Sequence, residues 1–192
     1  MLNRILCALL AFCLCLSLAG CGAPSEPETE PPTTQTETTK PSMTMEEYSE
    51  LVSGAWKSLY ENAVAINNVM IFEHTYWKTY KKIGGTTVDE ESMVDHAIET
   101  FAKKSEKDYT RQWFEDAFAA DSQKYKEIIA TKVPEGAEKI AEEYENFFDA
   151  YLGLYRLTFE PGSSFSSFES QGNEFLGAIQ NANAKLEVLL SD

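Results

Sequence analysis

From Tyr48 to Ile83 apolar residues recur at alternating four- and three-residue steps, through Val52, Ala55, Leu59, Ile66, Val69, Tyr76 and Tyr80. At the angular spacing of an α-helix these positions form one stripe, so a helix of about 40 residues, ~60 Å long, must bury that stripe against other elements. Thr44 and Glu47 are placed as a capping box, and Met43 and Tyr48 as the accompanying hydrophobic staple. Gly84-Gly85 stops the run. Two positions on the stripe are polar, Asn62 and Glu73. A buried polar group must find a partner or a helix end reached by water, and bundles use such residues to fix register.

A Thr87/Glu90 capping box opens a second helix, with apolar positions at Val94, Ile98 and Phe101, then Tyr109, Trp113, Ala117, Ile128 and Ile129. The polar run Lys103–Asp108 and the pair Asp121-Ser122 interrupt this stripe. One long bent helix and two or three shorter pieces both fit the pattern. Pro134 and Gly136 mark a boundary. A third element runs through Ile140, Tyr144, Phe147, Tyr151, Leu154 and Thr158 to Pro161-Gly162, and a last one through Phe165, Phe168, Gly172, Phe175, Ile179, Ala182, Leu186 and Leu189. Short loops make neighbouring helices antiparallel. The fold expected for residues 44–192 is therefore all-α, an antiparallel up-and-down bundle of about four main helices with a break allowed in the second. Because the first helix is much longer than the last two, part of the first hairpin overhangs unless a broken second helix folds back across it.

Residues 21–43 differ sharply in composition. Five of the seven prolines fall there among threonines and glutamates, with no Leu, Ile, Val or aromatic residue. Such a segment has nothing to bury that would offset its ordering entropy, so it is expected to be a disordered tether. With about 22 residues it would reach roughly 35–65 Å.

Residues 1–20 carry Arg4, an apolar core from Ile5 to Leu18 and small residues at the end. This is the layout of a secretory signal peptide, too short for a spanning helix. The run Leu18-Ala19-Gly20-Cys21 resembles the lipobox of bacterial lipoproteins. The resemblance implies cleavage before Cys21, a diacylglyceryl thioether on its sulfur, and a protein anchored in the cell membrane facing the extracytoplasmic side. Cys7, Cys13 and Cys15 would leave with the signal, so the exported domain is expected to hold together by apolar burial without a disulfide.

The formal charge of −15 argues against a nucleic-acid partner, because affinity for a phosphate backbone comes from neutralising it with Lys and Arg. Anionic headgroups would also repel the domain, which suits a protein held to its membrane by a lipid. His74 and His96 lie at similar distances from the Gly84-Gly85 turn, near Glu73, Asp95 and Glu99. Bundle metal sites use Glu-x-x-His, however, and the positions three before these histidines are Ile71 and Met93. They read as exposed residues, with no metal or cofactor expected. Phe72, Tyr76, Trp77 and Tyr80 form the candidate binding surface, for a sugar or a partner helix. No phosphate loop, nucleophile elbow or zinc-type cysteine spacing is present in the sequence. The expected function is a membrane-tethered helical binding or adaptor module with an envelope-protein or cell-wall partner and no evident catalysis. The alternatives are a lipoprotein capturing a small ligand for a membrane partner, and a cell-envelope hydrolase.

Overall fold

Capping chemistry sets where each helix begins. In the computed structural model, which describes residues 43–82, 89–161 and 164–191, the Thr44 backbone N–H donates to Glu47 Oε2 at 2.8 Å. The Glu47 N–H in turn donates to Thr44 Oγ1 at 3.2 Å. This reciprocal pair starts α1, Met45–Lys82. The signal segment, Cys21, the tether through residue 42, the Gly84-Gly85 turn, Thr87 and Gly162 lie outside the described residues. The second helix, α2 (Glu90–Ser105), takes Asp89 as its N-cap residue, two positions later than a Thr87/Glu90 box requires.

The second rod is broken. α2 ends at Glu106, held in the left-handed region at φ 55°, and the Lys107 N–H reaches back to the Ala102 carbonyl at 3.3 Å. Thr110 then caps a fresh helix, α3 (Arg111–Ile129), by accepting from the Trp113 N–H. The break falls in the polar run Lys103–Asp108, whereas Asp121-Ser122 lies within continuous helix. Arg111 Nη2 donates to Asp95 Oδ1 at 2.9 Å. A straight helix would separate those residues by about 24 Å, so α3 starts alongside α2 instead of continuing from its end.

Two further helices, α4 (Glu138–Phe159) and α5 (Phe165–Leu189), complete an all-α bundle. α1 and α4 run parallel and pack closely. On α1, α2 covers the C-terminal part, with the Tyr76 and His96 rings 5.2 Å apart, and α3 covers the N-terminal part. α5 runs antiparallel to both α1 and α4, touching α1 from Trp77 near its own start to Trp56 near its end. The cross-section is a rhombus with α1 and α4 on its short diagonal. Its looser sides are α3–α4 and α1–α5.

The core is filled by large side chains. Tyr48, Tyr144, Tyr151, Phe114, Phe147 and Phe168 are all fully buried. On α1 the buried run is Tyr48, Val52, Ala55, Leu59, Ala63, Ile66, Met70, Glu73 and Trp77. It departs from the stripe read in the sequence at two places, with Ala63 and Trp77 in place of Asn62 and Tyr76; Val69 is buried as expected, with Met70 beside it. Those steps average about 3.6 residues, the period of a straight helix, instead of the 3.5 of a supercoil. On α3 the inward residues are Phe114, Asp121 and Ile128, while Trp113 and Ile129 are exposed. The break restarts the helical phase, so the α2 stripe does not carry through it. Among the described residues, no helix is long and apolar enough to cross a membrane.

Candidate functional site

The candidate aromatic surface is largely occupied by the protein itself. Trp77 is buried, its ring 5.7 Å from both Phe165 and Phe168 of α5. It is a core residue. Phe72 is half-buried beneath the Lys104 ammonium, 4.6 Å from the ring centroid, and Tyr76 lies against His96. Tyr80 is half-buried near the end of α1. Phe72, Tyr76 and Trp77 therefore knit α1 to α2 and α5, and the four side chains do not form one open face.

The two polar seam residues have different surroundings. Asn62 is half-buried and its Nδ2 donates to Asp121 Oδ2 at 2.8 Å. The same carboxylate accepts from the Tyr151 hydroxyl at 2.9 Å and from Ser58 Oγ at 3.3 Å. One aspartate thus ties α1, α3 and α4 together. Burial, with Asp121 beside it, pushes the Tyr151 phenol well above its ordinary value, so the hydroxyl remains a donor. Glu73 is fully buried, and neither carboxylate oxygen has a hydrogen-bond partner. Loss of solvation raises its pKa well above the ordinary 4.5, against a smaller opposing pull from Arg111. Burial thus favours the protonated, neutral form of Glu73.

The two looser sides of the rhombus are treated differently. Between α3 and α4, Tyr125 stacks on Phe148 at 3.8 Å and Phe118 on Tyr155 at 4.0 Å, so rings fill the seam. Between α1 and α5 the seam stays open as a groove of about 320 Å³. Met70 and Phe168 form its floor, Ile71 and Leu176 its apolar rim, and Asn67 and Glu169 its polar contacts. Gly172 permits the close approach: a Cβ there would lie 2.9 Å from Met70 Sδ. At one end His74 Nε2 is 3.2 Å from Glu169 Oε1, with the His74 ring 4.9 Å from Phe165. His74 is thus half-buried and paired, while His96 is exposed. Asn67 Oδ1 is buried and has no hydrogen-bond partner.

A larger furrow of about 720 Å³ runs along the start of α1, lined by Met45, Ser49, Gly54 and Leu190 among others. It lies on exposed helix surface and contains no buried unpaired polar atom, so it marks a less specific place than the α1–α5 groove. Among the described residues, no group of three or more His, Cys, Asp or Glu side chains is placed to hold a metal ion.

Sequence reasoning missed Asp121 and Asn67. Asp121 sits seven residues after Phe114 and seven before Ile128, and that heptad spacing was available as a signal. Asn67 has no such signal, because its importance depends on α5 passing beside it. Comparison with family models, with curated proteins and with solved structures finds no match.

Proposed function

We propose that this chain is a lipoprotein anchored through Cys21 to the extracytoplasmic side of a membrane, whose helical domain works by binding a partner at the α1–α5 side. The observation that carries the reading is a stripe on the outer face of α1. Tyr60, Val64 and Ile71 are 41%, 44% and 49% exposed and lie within about 40° of one another around the helix. Asn67 shares that face and opens into the groove. A filled core with apolar residues left outside favours recognition at the surface over capture in the interior. Glu73 gives no support to a hydrolase, because a fully buried acid cannot touch a substrate.

The anchor and the charge fit together. A strongly acidic domain gains no attraction from anionic headgroups, and a diacylglyceryl group would hold it by two chains. The test places a photo-crosslinking residue at Ile71 or, as a control, at exposed Gln112 on α3, in otherwise unaltered full-length protein in cells. The expected result is a discrete adduct from position 71 and none from 112. Equal labelling from both positions, or none from 71, would contradict the reading.

A further inference from the structure

We propose that Arg111 is a two-position latch, bound to Asp95 of α2 while Glu73 carries its proton and transferred to Glu73 when that proton is lost. The latch stands apart from the recognition face and from the lipid anchor. Arg111 Nε and Nη2 both donate to Asp95 Oδ1, at 3.1 and 2.9 Å. Helices α2 and α3 each pack on α1 and touch one another little. Among the described residues, this pair is the side-chain hydrogen-bonded tie between them.

The register of the helices brings Arg111 past Glu73. Asp121 of α3 accepts from Ser58 and Asn62 of α1. α3 runs antiparallel to α1, since the turn that follows it sets Gly136 beside Met45. Ten residues toward the start of α3, about 15 Å along the axis, Arg111 is level with about residue 70 of α1. At the other end of its side chain, Asp95 precedes His96, whose ring is 5.2 Å from Tyr76. The side chain thus crosses the level of residue 73. Glu73 lies eleven residues after Asn62, within about 20° of it around α1, and so on the side turned toward α3.

Glu73 is fully buried and both its oxygens lack a partner. The titratable groups standing around this level are Asp95, His96 and Glu99 on α2, Arg111 and Glu115 on α3, Tyr155 and Glu160 on α4, and Glu169 on α5. Of these, Arg111 is the one whose charge acts on the Glu73 carboxyl. The cost of each unpaired state sets the direction of the exchange. A buried carboxylate with neither proton nor partner is costly. Asp95 is 54% exposed, so water replaces its partner at little cost. Arg111 stays charged throughout. One proton leaving Glu73 for solvent therefore draws the guanidinium inward and unties α2 from α3.

The test uses the full-length chain in lipid nanodiscs, labelled at glutamate carboxyl carbons and arginine Nε and titrated upward from about pH 4.5 by NMR. The expected result is that the Glu73 carboxyl and Arg111 Nε–H signals change together, at one midpoint at least about one unit above 4.5. Glu73→Gln should leave the Arg111 signal flat over the same range. Asp95→Asn, at a half-exposed position that leaves the fold intact, frees the guanidinium for Glu73. It should lower the Glu73 midpoint by about one unit, a tenfold gain for the ionised form. Protection of the Ala97 and Ile98 amides from hydrogen exchange, compared with Glu73→Gln at equal pH, should fall at least about threefold above the midpoint. Titration of Glu73 without change at Arg111, or an Arg111 transition that persists in Glu73→Gln, overturns the proposal. So does a midpoint that Asp95→Asn leaves unmoved or raises, unchanged protection of the two amides, or unfolding before Glu73 titrates.

Discussion

Burial of Glu73 without a hydrogen bond to either oxygen links the stability of the bundle to pH. Its folded-state pKa lies above the unfolded value near 4.5, chiefly through lost solvation, so the folded state holds a proton that the unfolded chain releases. Its favourable contribution is therefore complete below about pH 4.5 and declines as pH rises toward the folded-state pKa. Chemical denaturation across this range should show the Glu73→Gln variant losing less stability than the parent as pH rises. Glu73→Leu should be more stable than the parent at pH 7 by about 1–3 kcal/mol, because an unsatisfied buried polar group is removed. Asp121 is the opposite case, since every hydrogen bond there is made. Asp121→Ala strands the Tyr151 hydroxyl and the Asn62 amide and should cost about 1–3 kcal/mol in a urea melt, with Tyr151→Phe costing nearer 1. Polarity on a heptad stripe was enough to single out Asn62 and Glu73. It could not say which would be partnered, because that depends on which helix crosses at that level.

At the scale of elements, helix boundaries were legible at Thr44, Pro134 and Pro161, whereas the second helix takes Asp89 as its cap in place of Thr87 and the caps at Thr110 and Ser164 were not singled out. The break between α2 and α3 was visible only as a polar run, since such a run also describes an exposed turn of continuous helix. What decides it is the conformation of Glu106. A side chain bearing a Cβ at φ 55° carries a cost of about 1 kcal/mol that glycine avoids. Glu106→Gly should therefore raise the unfolding midpoint slightly, by the equivalent of up to about 1 kcal/mol. A lower midpoint with loss of helical signal would mean that residue 106 is held in a helix and that no break exists there. The phase of α1 teaches a related lesson. A 3.5-residue stripe and a 3.6-residue helix agree for the first few turns and then separate by about one residue. That is why the early positions Tyr48 to Leu59 were read correctly and Trp77, not Tyr76, faces inward. The α1–α5 groove left no trace in the sequence, because it depends on where α5 comes to lie against α1.

At the scale of the whole molecule, the architecture was the most legible level, since four apolar stripes joined by short loops leave few arrangements other than an antiparallel bundle. The groove and its orphaned amide belong to tertiary packing and were not. Two proposals of separate origin meet at this scale: recognition of a partner through one side of the bundle, and attachment to a membrane through residue 21. The second is the more decisive, since anchorage would determine which partners the groove can meet. The most direct measurement is intact and peptide mass spectrometry of the protein isolated from the membranes of the cell that makes it. The account predicts a chain beginning at Cys21 and carrying the mass of a diacylglyceryl group on sulfur, with a Cys21→Ser variant recovered outside the membrane fraction. A mature chain starting at any other residue, or an unmodified thiol at position 21, would contradict it.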